Sequence, residues 1–213
     1  MKVALIDYGR GNLRSVEKAL ERVGDAAVQV ERVEDAEKWE RVEPDWVVLP
    51  GVGAYGDAMI NLKERGLIEP IRRWLADNRP FLGICLGFQL LFESSEESPG
   101  VEGFGFFRGR VVRFLSEVGD VPHMGWNRVY GEGCLGDVQQ VLADAPYFYH
   151  VHSYYPEVEA DADWKVETEY GRRFCSGLGR GRVAAFQFHP EKSQKSGLSL
   201  LSALAAQAGC VSK

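Results

Sequence analysis

Apolar and polar positions alternate in blocks along the first ninety residues, and the period within the blocks switches back and forth. Lys2-Val3-Ala4-Leu5-Ile6-Asp7 is a continuous apolar run, which is how a parallel strand covered on both faces reads. Leu13, Val16, Leu20 and Val23 then recur at helical spacing, with Asn12 placed to cap the start and Gly24 the end. Residues 27–33 predict a second strand and residues 46–49 a third. The third runs into residues 50–56, a stretch that reads as too rich in glycine for helix or strand. From residue 57 to about residue 78 the pattern is helical, broken at Gly66 and Pro70, with Met59, Leu62, Leu67, Ile71, Trp74 and Leu75 turned inward. Phe81-Leu82-Gly83-Ile84, bounded by Pro80, predicts a fourth strand, and Leu86, Leu90 and Leu91 follow at helical spacing.

The pattern changes after Phe92. Residues 93–100 form a polar loop ending in Pro99-Gly100. Short strand-like pieces follow at 110–114, 126–130, 147–154, 166–170 and 183–188, and a helix carrying Leu198, Leu201, Leu204 and Ala205 closes the chain. No internal repeat or low-complexity linker interrupts the 213 residues, so one domain spanning 1–213 is expected. The alternation of strands and helices implies right-handed crossovers. The predicted fold class is α/β: a doubly wound, mostly parallel sheet flanked by helices, with an antiparallel β extension in the C-terminal half. In such sheets ligands bind beyond the carboxyl ends of the strands.

Composition narrows the function classes. With 45% hydrophobic and 26% charged residues the chain is of ordinary globular make-up, and a net charge of −6 without a basic run argues against nucleic acid. The Arg72-Arg73 and Arg172-Arg173 pairs read as solvated faces. The chain enters a strand at once, so no targeting segment is expected, and no apolar stretch approaches a membrane span. Four scattered cysteines without a C-x-x-C suit a reducing cytoplasm rather than a disulfide framework or zinc cage. Cys134, Cys175 and Cys210 read as structural or incidental.

Cys85 is different. It follows a strand, precedes a helix and is flanked by Gly83 and Gly87, a G-x-C-x-G turn of the kind that lifts a nucleophile off the end of a sheet. A thiol at a helix N-terminus also ionises more readily. The blander reading is a buried free cysteine at a sheet–helix junction. A base can come only from His123, His150, His152 or His189. Pro190 forces the last strand to stop at His189, and in extended backbone Glu191 points the same way as His189 and can reach the ring nitrogen not used in catalysis. Against this stands an ordinary strand-end histidine bonded to backbone. His150 and His152 share a strand face and could pair on a metal, but no third ligand follows at metal-like spacing and the surroundings are aromatic, so no metal site is expected. Gly9-Arg10-Gly11 suggests a dinucleotide loop; Arg14 stands where its third glycine belongs, and the fingerprint fails.

Gly83-Ile84-Cys85-Leu86-Gly87 with Gln89, together with His189-Pro190-Glu191, resembles the class I, triad-type glutamine amidotransferases. Four longer segments narrow the resemblance to the glutaminase subunit of imidazole glycerol phosphate synthase: residues 50–59, residues 122–127, His152-Ser153-Tyr154-Tyr155 and His189-Pro190-Glu191-Lys192-Ser193-Gln194. The resemblance implies glutamine hydrolysis by Cys85, His189 and Glu191, with oxyanions held by the main-chain N–H groups of Val52 and Leu86 and glutamine held by Gly53, Gln89, Ser153 and Tyr154. No cofactor is implied. It further implies a partner, a (β/α)₈-barrel cyclase that receives the ammonia. The chain has no length left for a barrel of about 250 residues, so that partner is expected as a separate polypeptide, docking on a face that includes Asn12, Trp126 and Lys192. The competing readings are a glutaminase serving another synthase, a cysteine peptidase or hydrolase on the same scaffold, and a non-enzymatic interaction domain with the aromatic strands as its surface.

Overall fold

A computed structural model describes residues 1–9, 11–24, 28–133, 136–143, 146–159 and 162–209. Cys134, Cys210 and the start expected for the second strand at Ala27 lie outside them. Strand β1 (Lys2–Ile6) alternates between two cores: Val3 and Leu5 face one, Ala4 and Ile6 the other. That two-sided burial is why its sequence is apolar throughout. Around it a nine-stranded sheet runs β2-β1-β3-β4-β12-β11-β10-β7-β8. The first five, β2 (Gln29–Val33), β1, β3 (Trp46–Gly51), β4 (Phe81–Cys85) and β12 (Val183–Phe186), pair in parallel. The other four, β11 (Arg173–Arg180), β10 (Trp164–Glu169), β7 (His123–Gly133) and β8 (Tyr147–His152), continue the sheet antiparallel. The expected architecture holds, including the antiparallel extension.

Helices α1 (Leu13–Gly24) and α7 (Gln194–Gly209) cover one face, burying Val16, Leu20, Leu200, Leu201 and Leu204. On the other face α2 (Ala36–Val42), α3 (Tyr55–Glu64) and α4 (Ile68–Ala76) bury Trp39, Leu62, Ile71 and Trp74. A small sheet of β5 (Ser94–Ser95), β6 (Gly109–Arg113) and β9 (Tyr154–Val158) lies beside the main one. A short α6 (Asp137–Leu142) completes the helices flanking the sheet.

Several expectations need correction. Pro50 and Gly51 belong to β3, and Tyr55 and Gly56 already to α3; only residues 52–54 form the loop. Pro70 does not break a helix. It is the third residue of α4, inside the first turn, where no intrahelical acceptor awaits its missing N–H. The stretch 147–154 is two strands, because the chain leaves the main sheet at Ser153 and enters the small one at Tyr154. The loop after Phe92 contains the two-residue strand β5. Strand β11 has no apolar alternation in its sequence, since Gly177 and Gly179 lie beneath the rings of Phe186 and Trp164 and leave them the room. Helix α2 was legible yet unread: Asp35 caps it by accepting from the Lys38 amide at 2.8 Å.

Candidate active site

Strand β4 ends at Cys85, and one helical turn, α5 (Leu86–Gln89), begins immediately after it. The helix is shorter than Leu90 and Leu91 suggested, so any dipole support for the thiolate comes from a single turn. Cys85 itself has φ 54° and ψ −105°, a conformation that L residues avoid and that holds about 1–3 kcal/mol of strain. The turn is tight enough that a Cβ on Gly87 would fall 1.8 Å from the Leu49 carbonyl oxygen. No side chain can sit there.

On the neighbouring parallel strand, the chain leaves β12 through Gln187 and reaches His189. The His189 amide donates to the Tyr149 carbonyl at 2.9 Å, and the Ser193 hydroxyl donates to the His189 carbonyl at 2.6 Å. These contacts seat a ring that is almost wholly buried. Its Nδ1 meets Glu191 Oε1 at 2.8 Å, with the carboxylate side chain only 2% exposed. Burial opposes a charged imidazole here, but the neighbouring Cys85 thiolate and then Glu191 outweigh it and lift His189 from 6.5 to about 10. Among the described residues Nε2 finds no hydrogen-bond partner of ordinary geometry. Sulfur and ring are therefore near enough to couple electrostatically without being locked together, a common state for an unliganded nucleophile and base.

Cys85 opens into a cavity of about 380 Å³ lined by Val52, Gly53, Leu86, Gln89, Ser153 and Tyr154, and also by Glu97, Pro122, Val151 and His152. Every residue the resemblance assigned to oxyanion or glutamine binding thus lines one cavity with the sulfur. Gly53 has φ 98°, which suits glycine and lets the loop turn over Cys85. Two residues escaped the sequence reading. Glu97 supplies the cavity's carboxylate and is anchored by accepting from the Tyr55 amide at 2.7 Å. Gln187, fully buried, donates from Nε2 to the Cys85 sulfur at 3.7 Å. Neither had a local signal beyond residue type.

Asn12, Trp126 and Lys192 do not enter the cavity. Asn12 is exposed just before α1; Trp126 is 46% exposed, packs edge-on to Tyr149 at 6.2 Å, and Lys192 lies over the same Tyr149 ring at 5.9 Å.

The sequence argument against a metal assumed that no third histidine joins His150 and His152. The register of β7 against β8 brings in His123, opposite His152. All three rings are buried, and His152 Nε2 stands 3.3 Å from Nδ1 of both His123 and His150. Hydrogen-bond directions account for much of this. Arg128 N donates to Asn127 Oδ1, so the Asn127 amide presents its N–H to His123 Nε2 at 3.3 Å. That places the His123 proton on Nδ1, donating toward His152, where a metal ligand would need a lone pair. His152 in turn donates through Nδ1 to the Tyr154 carbonyl at 2.8 Å. Burial lowers His123 to about 4 and His152 to about 3, and pushes His150 well down, so the rings are neutral.

Residues 4–204 match the family "Glutamine amidotransferase class-I". The chain is 46% identical over 201 residues to "Imidazole glycerol phosphate synthase subunit HisH" of Aquifex aeolicus, covering 94% of each chain. It is also 46% identical over 211 residues to the subunit of the same name in Syntrophotalea carbinolica, covering 93% of this chain and 97% of the other. The chain belongs to the HisH branch of the class I glutamine amidotransferases. It is thus a glutaminase-type subunit, and the expected family stands. Among solved structures, "Crystal structure of glutamine amidotransferase" superposes with a TM-score of 0.69 at 20% identity, covering 97% of this chain and 98% of that one. "Structure of PurLQS from Thermotoga maritima" gives 0.69 at 16% identity with the same coverage. At such identities these two speak for the fold alone.

Proposed function

We propose that this chain hydrolyses glutamine to glutamate and ammonia with Cys85 as nucleophile, and that the ammonia passes to a separate cyclase partner that forms imidazole glycerol phosphate and an aminoimidazole ribotide. The observation that carries the reading is the buried Glu191–His189 pair at 2.8 Å, coupled electrostatically to the Cys85 sulfur, which itself opens into the cavity.

The Cys85 thiolate attacks the side-chain amide carbon, and the His189 imidazolium gives its proton to the departing ammonia. Water then attacks the thioester carbonyl with His189 as base, releasing glutamate and restoring the thiolate. Glu191 fixes the ring's tautomer and favours its charged form. Main-chain N–H groups of Val52 and Leu86 stabilise the two oxyanions, each such donor being worth about 10²–10³ in rate. Gly53, Gln89, Ser153 and Tyr154 hold the substrate, and Glu97 offers a counter-charge for its α-ammonium. Ammonia set free in the cytoplasm would be protonated and lost, which favours direct transfer to a (β/α)₈-barrel subunit seated over the face of Asn12, Trp126 and Lys192.

Steady-state ammonia release from glutamine, measured with and without the cyclase and its nucleotide ligand, tests the proposal. The expected result is low basal release, strong stimulation in the complex, and none from Cys85→Ala, which still folds and binds the partner. Glutamine-dependent turnover that survives Cys85→Ala would overturn it.

A further inference from the structure

The buried amide of Gln187 belongs to no element of the chemistry described above, yet it touches the reacting sulfur. We propose that Gln187 holds a hydrogen on Cys85 Sγ and so favours the thiolate over the thiol, its orientation being enforced by a main-chain carbonyl at the far end of an amide chain. The inference rests on Cys85 being the nucleophile.

The direction of that chain follows from its terminus. The Tyr154 carbonyl oxygen can only accept, so Gln89 must turn its NH₂ toward it, at 3.1 Å. The same Gln89 nitrogen lies 3.1 Å from Gln187 Oε1 and supplies its second hydrogen there. Gln187 has then spent its oxygen, and its own NH₂ is left on the sulfur at 3.7 Å. Rotating either amide by half a turn would set donor against donor or carbonyl against carbonyl. The His152 Nδ1–H, also directed at the Tyr154 oxygen, makes it a doubly occupied acceptor and reinforces the direction. The Gln187 backbone is held as well, its amide donating to the Ser176 carbonyl at 2.9 Å. A fully buried N–H aimed at sulfur interacts more strongly with S⁻ than with S–H, so the donor shifts the thiol toward the attacking form. Because Gln89 also lines the cavity, the substrate site and the nucleophile share one rigid chain of amides.

Gln187→Met keeps the length of the side chain and removes the donor. Carbamidomethylation of Cys85, followed by mass spectrometry of its peptide, is expected to slow about tenfold on the acid limb of its pH profile, where the sulfur still carries its proton, with the deficit closing as pH rises. In the complex, kcat for glutamine should fall by about tenfold or more while KM stays within about threefold, because the lost contact is to the nucleophile. Gln187→Glu, which places a carboxylate beside the thiolate, should slow alkylation further. A purely structural role would leave the pH profile of alkylation untouched. A folded Gln187→Met with the parent's profile overturns the proposal. Should that variant not fold, Gln89→Leu releases the same amide from its anchor, and an unchanged alkylation rate there overturns it equally. Retained glutaminase activity in Cys85→Ala would instead strike the nucleophile reading itself.

Discussion

At the scale of single residues, opposing influences meet on His189. Burial alone would discharge the ring, but the adjacent sulfur and the Glu191 carboxylate hold its proton up to about pH 10. Removing the charge of Glu191 while keeping a hydrogen-bonding group should therefore weaken catalysis without abolishing it. Glu191→Gln is expected to lower kcat by about 10–10² and His189→Asn by about 10²–10⁴, the range for a general acid–base; steady-state ammonia release in the complex measures both. Equal losses would mean that the carboxylate does more than orient the ring. The pairing of His189 with Glu191 was legible from their closeness in sequence, but not for the reason expected. β12 already ends at Phe186 and residues 190–192 form a 3₁₀ turn, and it is this turn, not extended backbone, that brings the carboxylate back onto the ring. Cys85 was legible because a cysteine between glycines at a change of period marks a turn. Gln187 was not legible. Its meaning depends on Gln89, 98 positions away, and on a carbonyl of a third segment.

At the scale of elements, the passage from β4 to α5 decides where the sulfur points. β4 runs beside β3, Gly51 opposite Cys85, and the chain must turn under the Leu49 carbonyl within two residues. Gly87→Ala places a methyl 1.8 Å from that oxygen, closer than any contact tolerates. The turn must then open, and a loss of about 2–4 kcal/mol or more is expected from overpacking at a buried, strained site, read by denaturant unfolding; Cys85 alkylation should fall with it. A melting profile equal to the parent's would show that the turn is not the constraint inferred here. Most elements whose sequence carried their own period were located, though α2 went unread and α5 is shorter than its leucines suggested. Of the others that were missed, β11 takes its form from partners: its glycines make space for aromatic rings from β10 and β12. The split of 147–154 at Ser153 likewise answers to two different sheets.

At the scale of the whole molecule, the histidine cluster ties three strands to the site. Asn127, His123 and His152 form a directed chain ending on the Tyr154 carbonyl, the same oxygen on which the Gln89 amide converges. The cluster has a pH consequence. The folded rings titrate below the ordinary value of 6.5, His123 near 4 and His152 near 3. Between these values and 6.5 the unfolded chain binds more protons than the folded one, so stability is full above about pH 6.5 and is lost as pH falls toward 4, by up to about 1.4 kcal/mol per pH unit for each ring. Chemical denaturation at stepped pH should show this slope, and His123→Gln should reduce it; an unchanged slope would place the acid sensitivity elsewhere. The other face of β7 carries Trp126 beside Tyr149 and Lys192, exposed aromatic and cationic groups of the kind that anchor interfaces. Trp126→Ala is expected to weaken association with the cyclase by tenfold or more, about 1.4 kcal/mol, by titration calorimetry. Unchanged affinity would move the docking face.

The sequence by itself determined the alternation of strands and helices, the site of the nucleophile turn and the pairing of His189 with Glu191, since each rests on backbone period or on neighbours within a few residues. Tertiary structure alone decided that β11 is a strand, that His123 completes a buried cluster with His150 and His152, and that Gln187 faces the sulfur. In those cases the governing interaction joins residues far apart in the chain. Excluded volume and hydrogen-bond direction act only once the sheet has set its strands side by side.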